Sequence, residues 1–231
     1  MKKDTLLKLL KIESVQLEEI KRAVAQAEKT TSGEIALAAI YQSDSYAFVE
    51  LFIAFCTAFI AFFILFLCST PIWELLERTV WFPSPQQLTA VIGIAAALIV
   101  LVTYFLVNIP TIDRFIVPDK LKTRRVYARA LQHFVESGVY KTAAHTGILI
   151  FVSVLERKVF VFADSGITEK VPQAEWDRIC KIMTGGLKAH KAAQAFISAA
   201  EECGKILQRH FPNNKEDNPN ELPDGLVVLE E

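Results

Sequence analysis

Apolar and polar positions follow three different rhythms along this chain, and each rhythm predicts a different kind of element. From Ser14 to about Thr31, Leu17, Ile20, Val24 and Ala27 fall at helical spacing, with Ser14 placed to cap the start and Gly33 to break the end. This predicts an amphipathic helix. It leads into GEIALAAIY, Gly33 to Tyr41, whose almost unbroken apolar character predicts a strand buried on both faces. Further on, RRVYARALQHFVESG puts Val126, Ala130 and Phe134 on one side of a helix, with Gly138 as its stop. Strands are expected at Gly147 to Leu155 and Lys158 to Ala163, joined by a tight, exposed two-residue turn at Glu156 and Arg157. A helix starting near Pro172 turns Trp176, Ile179, Cys180 and Met183 inward and is expected to end at Gly185 and Gly186. A last helix runs from about Lys188 to His210 and is stopped by Pro212.

Between the first strand and the second amphipathic helix the rhythm disappears. Leu51 to Cys68 is 18 residues without a charge, and Leu88 to Val107 is 20 residues with only Thr89 and Thr103 polar. At 1.5 Å per residue these runs cover about 27 and 30 Å, close to the hydrocarbon thickness of a bilayer. Both predict transmembrane helices. The first begins about fifty residues into the chain, too late for a signal peptide. The connector, Ser69 to Gln87, carries Trp73 and Trp81, residues suited to a membrane interface.

The order helix, strand, membrane hairpin, helix, strand, strand, helix, helix predicts an α/β domain with helices packed on a small mixed sheet. Neither flank can bury its apolar surfaces alone, so residues 1–45 and 111–212 are expected to form one domain, interrupted by a transmembrane hairpin over 46–110. Residues 213–231, polar and proline-rich before Leu226 to Leu229, are expected to form an extended arm that docks back.

Composition sharpens this picture in two places. The 52% hydrophobic content is concentrated in the two uncharged runs, and 25 basic against 26 acidic residues give no bias toward nucleic acid, which is not expected as a partner. Locally, Arg114, Lys120, Lys122, Arg124 and Arg125 follow the second run, whereas the connector offers only Arg78. The positive-inside tendency then predicts a two-pass protein of the inner (cell) membrane with both termini cytoplasmic, and these bases can also meet anionic headgroups. The four cysteines have neither metal-ligand nor redox spacing and are expected to pack in apolar surroundings.

Several stretches carry a family resemblance. They are AVAQAEKTTSGEIALAAI (Ala23 to Ile40), RALQHFVESGVYKTAAHTGILIFVSVLERKVFVFADSGI (Arg129 to Ile167), the Trp176 helix and NELPD (Asn220 to Asp224). Together they resemble the TPM domain family, the domain of thylakoid acid-phosphatase-like proteins and many bacterial membrane proteins; the inserted hairpin and the closing NELPD resemble a bacterial integral-membrane subgroup. The resemblance implies a compact α/β/α sandwich and, from some relatives, metal binding or phosphatase activity. In metal-associated members an acidic residue commonly precedes the first helix and an Asp-Asn-Gly-like turn precedes the central strand. Here those positions hold Glu13 and His145-Thr146-Gly147, so part of the acidic pattern is missing.

The candidate chemistry sits at one end of the predicted hairpin. With a two-residue turn, Leu155 opposes Lys158, Asp164 opposes Leu149 and Thr168 opposes His145, which gathers His145, Thr146, Asp164 and Ser165. An imidazole and a carboxylate there suit acid–base work, or a divalent cation such as Ca²⁺ or Mg²⁺ held by Asp164, His145 and Glu13. The plainer role is structural: Asp164 and Ser165 shape the turn and cap nearby amides. Two functions follow. The first is an integral membrane protein displaying a cytoplasmic TPM-like domain to membrane or cytoplasmic proteins, with no complete catalytic constellation. The alternative is a metal-dependent phosphatase with its site at the open end of the 147–163 hairpin.

Overall fold

The computed structural model describes residues 3–107, 109, 115–142, 144–212 and 220–230. The chain divides into two compact units, residues 1–44 with 119–231, and residues 45–118.

The first unit is built on a four-stranded mixed sheet of order β3-β2-β1-β4, with β1 at Glu34–Ile40, β2 at Gly147–Ser153, β3 at Lys158–Ala163 and β4 at Leu226–Val228. β1 pairs in parallel with both β2 and β4, and β2 pairs antiparallel with β3. β1 and β2 are buried along their whole length, as their apolar runs require. Because side chains alternate, Ile35, Leu37 and Ala39 face one layer while Ala36, Ala38 and Ile40 face the other.

On the first face lie α1 (Lys3–Leu10), α2 (Ser14–Glu28) and, after α6 (Asp119–Glu136) and the short α7 (Ser165–Thr168) in chain order, α8 (Gln173–Lys188) and α9 (Ala192–His210). Their inward residues include Leu6, Ile20, Val24, Trp176, Ile179, Met183 and Phe196, packed on Ile35, Leu37, Ile148 and Ile150. On the second face, α6 (Asp119–Glu136) buries Val126, Ala130 and Phe134 against Ala36, Ala38, Leu149 and Phe151. The domain is therefore an α/β/α sandwich.

Three local expectations are corrected. α2 is capped by Glu13 and not by Ser14: the Glu13 amide donates to Gln16 Oε1 at 3.0 Å, closing a capping box. Gly185 and Gly186 do not end α8, which continues to Lys188. A Cβ at Gly186 would stand 2.5 Å from Ala195 Cβ, so this glycine lets α8 and the start of α9 approach closely. α1 had no counterpart in the sequence reading; it buries Leu6, Leu7 and Leu10 in the first-face core.

The second unit contains α3 (Ala47–Leu67), α4 (Ser69–Thr79) and α5 (Pro85–Val107). α3 and α5 are long and apolar enough to cross a membrane. They span about 32 and 35 Å at 1.5 Å per residue. Their buried positions include the small residues Ala54 and Ala61 together with Ile92, while Phe52, Phe55, Phe59, Phe63 and Phe66 point outward. An apolar outer surface of this kind suits lipid. α4 occupies the connector, where the Trp73 indole donates to Glu77 at 2.7 Å.

Candidate functional site

The β2–β3 register fixes the geometry of the predicted site, and it differs from expectation. Ser153 pairs with Lys158 and Ile148 with Ala163, so four residues, Val154 to Arg157, make the turn. The cause lies in β1: the Val154 and Leu155 amides donate to Ile40 O at 3.0 Å and Tyr41 O at 2.7 Å, which holds them to β1 after they have left β3. The Glu156 side chain then folds inward and is buried, so of the pair expected to be exposed only Arg157 is. The register moves by two residues, which preserves the face of every side chain.

Asp164 consequently stands beside Gly147, and its amide donates to Gly147 O at 2.9 Å. His145 Nδ1 lies 3.3 Å from Asp164 Oδ2; the imidazole is 64% exposed and the carboxylate 9%. The other carboxylate oxygen, Oδ1, accepts from the Ser165 amide at 2.6 Å and the Ser165 hydroxyl at 3.1 Å, capping the short α7 (Ser165–Thr168). Thr146 is buried: its hydroxyl donates to Ser32 O at 2.8 Å and its amide to Thr142 Oγ1 at 3.0 Å. Gly166 is needed because a Cβ there would stand 2.6 Å from His145 O, and a Cβ at Gly147 would collide with Val139 O. The HTG and DSG triplets are thus two halves of one close-packed corner.

Glu13 does not reach this corner. It stands exposed at the start of α2, whose other end carries Glu28, bonded to the Ile35 amide at 2.7 Å beside the Gly147 end of the sheet. Fifteen helical residues separate the two by about 22 Å. Among the described residues no group of three His, Cys, Asp or Glu side chains converges as metal ligands. Asp164 and His145 together do not fit the six to eight oxygen ligands of Ca²⁺. Asp164→Ala is expected to remove the α7 cap and lower stability by about 1 kcal/mol, read as a shift in the denaturation midpoint.

Two further polar groups escaped the sequence reading. At the same end of the sheet but along the outer edge of β1, Glu28 and Glu34 are buried. Desolvation pushes the Glu28 carboxyl up to about 8 against the lowering influence of the Ile35 amide, and pushes Glu34 up to about 7 against the Leu222 and Glu221 amides. The signal was present in the pattern: Glu28 follows Val24 on the inward stripe of α2, and Glu34 opens a strand of apolar residues.

At the opposite end, buried Glu156 accepts from the Ser43 amide at 2.9 Å and closely from the Ser153 hydroxyl, while the Ser43 and Ser153 hydroxyls lie 3.0 Å apart. Nearby in the chain, Asp44 pairs with Arg125 at 2.9 Å and Asp119 with Lys158 at 2.8 Å. This network ties down both points at which the domain's chain leaves for, and returns from, the second unit. Nothing in the turn sequence distinguished Glu156 from an exposed residue.

The basic group proposed for a membrane surface is dispersed. Lys120 and Arg124 are exposed, Arg125 is paired with Asp44, and Lys122 is buried. Arg114 lies outside the described residues. His133 is buried beside Phe151, and burial, reinforced by the Arg129 charge, lowers its pKa. Burial pushes the Cys203 thiol far up, consistent with a packing role.

A mixed four-stranded sheet sandwiched between helical layers, with a glycine-tight corner where β2 and β3 meet, defines a class of small α/β/α domains. Residues 107–206 match the family model of the TPM domain. The NMR structure of the BA42 protein from the psychrophilic bacterium Bizionia argentinensis is similar in fold, with a TM-score of 0.55 over 94% of this chain and 94% of that one at 18% identity. No curated protein matches the sequence.

Proposed function

We propose that this protein is a two-pass integral membrane protein of the bacterial inner-membrane type that holds its TPM domain at the cytoplasmic face for membrane or cytoplasmic protein partners. The observation that carries this reading is the pairing of β1, which precedes the apolar hairpin, with β2, which follows it, at every position from Glu34 with Gly147 to Ile40 with Ser153. Strands can pair only in one compartment, so an inserted hairpin must return the chain to the side it left. The bases at Lys120, Arg124 and Arg125 favour the cytoplasmic side. Alkaline phosphatase fused at Ser84 is expected to be active, and a fluorescent protein fused at the C-terminus to be bright. The reverse pattern would overturn the orientation.

The display role is favoured over catalysis by the way the polar corner is used. Asp164 caps α7 and braces His145, Thr146 is consumed by backbone hydrogen bonds, and Glu13 lies at the far end of α2. The phosphatase reading draws on the His145–Asp164 pair alone. Phosphate release from p-nitrophenyl phosphate with added Ca²⁺, Mg²⁺, Mn²⁺ or Zn²⁺ separates the two: display predicts no release that Asp164→Ala abolishes. A metal-dependent rate lost in that variant would favour the enzyme.

A further inference from the structure

β3 forms one end of the sheet order β3-β2-β1-β4, and among the described residues it pairs with β2 alone. Its residues are half-buried, whereas β1 and β2 are buried throughout. The Asp164 amide on Gly147 O sets the phase of the ladder: Lys158, Phe160 and Phe162 turn their backbone groups to β2, and Val159, Val161 and Ala163 turn theirs outward. The Thr168 hydroxyl donates to Ala163 O at 3.2 Å, which leaves the outward groups of Val159 and Val161 as the open ones on this edge. A lysine on such an edge ordinarily deters a second strand, but Lys158 is drawn back to Asp119 on α6 at 2.8 Å. Beside the edge, α6 exposes Tyr127, Leu131 and Val135, one turn apart on one side of the helix. The Tyr127 ring lies 5.7 Å from that of Phe160 and 5.2 Å from that of Phe162, so strand edge and helix stripe form one continuous surface. Exposed Lys120 and Arg124 stand at one end of the helix and exposed Glu136 at the other.

We propose that this surface is the interface of a homodimer, in which the β3 strands of two copies pair antiparallel across a two-fold axis and their α6 helices pack side by side. The open backbone groups choose the register. Val159 of each copy exchanges both of its bonds with Val161 of the other, which sets the two Phe160 residues opposite each other at the axis, next to Tyr127. The same axis runs the two α6 helices antiparallel. It brings the Lys120 and Arg124 end of each toward the Glu136 end of the other, where the negative end of the helix dipole adds to the carboxylate. A single foreign strand would satisfy the edge and leave Tyr127, Leu131 and Val135 in water. A second copy presents a strand and a helix in the matching arrangement and covers both. The dimer supplies one protein partner for the domain and does not rest on which side of the membrane the domain occupies.

The full chain in detergent micelles, carrying the photo-cross-linker p-benzoylphenylalanine in place of Tyr127, tests this. Irradiation is expected to give a species of twice the chain mass, joined through β3 or α6 of the second copy. In the unmodified chain, residue-resolved hydrogen exchange at the Val159 and Val161 amides is expected to slow about tenfold or more when the protein is concentrated about a hundredfold, while Phe160 and Phe162 keep the protection β2 gives them. Val161→Pro removes only an outward-facing amide and so spares the β2–β3 ladder, and Leu131→Glu puts a charge into the helix stripe from an exposed position. Each is expected to weaken dimerisation about tenfold or more by light scattering corrected for bound detergent, with β2 protection unchanged. Cross-links to detergent or lipid alone, exchange at Val159 and Val161 that ignores concentration, or a dimer that survives both variants would each overturn the interface.

Discussion

Joining Asp44 to Asp119 through a short glycine–serine linker is expected to yield a domain that needs no detergent and keeps its sheet. The expectation rests on how closely the two cut points are held. Asp44 is paired with Arg125 on α6, and Asp119 with Lys158, the first residue of β3. Lys158 stands opposite Ser153, whose hydroxyl bonds that of Ser43 at 3.0 Å. The linker would bridge residues that the domain already anchors together. What it removes is the segment bearing the outward Phe residues of α3 and the apolar surface of α5. Size-exclusion chromatography without detergent, with exchange protection across β1 and β2, checks the result. Aggregation, or a sheet without protection, would mean that the domain depends on its hairpin for folding.

Glu156→Ala is expected to destabilise that domain by about 3 kcal/mol, because truncation strands the buried Ser43 amide and Ser153 hydroxyl without their acceptor. Glu156→Gln keeps an oxygen for the Ser43 amide and is expected to lose only about 1 kcal/mol. Urea denaturation midpoints at constant slope give both numbers. Equal, small losses in the two variants would show that the carboxylate is not what holds the exit and return of the chain.

The contrast between Glu156 and the β-strands shows what the sequence made legible. β1, β2, α2 and α6 announce themselves because a buried face repeats with a fixed period, and burial on two sides leaves almost no polar residue in Glu34 to Ile40 or Gly147 to Ser153. The hairpin was equally plain, since no charge interrupts Leu51 to Cys68. The turn was not. Its length depends on Val154 and Leu155 bonding to Ile40 and Tyr41, residues more than a hundred positions away, and no local pattern encodes that partnership. α1 was missed because eight residues present too short a stripe to stand out, although three of them are buried. At the polar corner the gathering of His145 and Asp164 was readable from strand pairing, whereas the consumption of Thr146 by Ser32 and Thr142 was not. Glu28 and Glu34 were visible as acids on inward positions, but their partner lies in the arm at the other end of the chain.

The parallel β1–β2 pair also sets a timetable for synthesis. Glu34 leaves the ribosome long before Gly147, and the apolar helices emerge in between, so the first strand has no β2 neighbour until all the residues that separate them have been made. A nascent chain that stalls between the two strands presents an apolar strand with nothing to cover it, the kind of segment that chaperones and proteases recognise. A completed sheet therefore reports that the whole of the intervening segment has been made and that the two flanks have ended on one side.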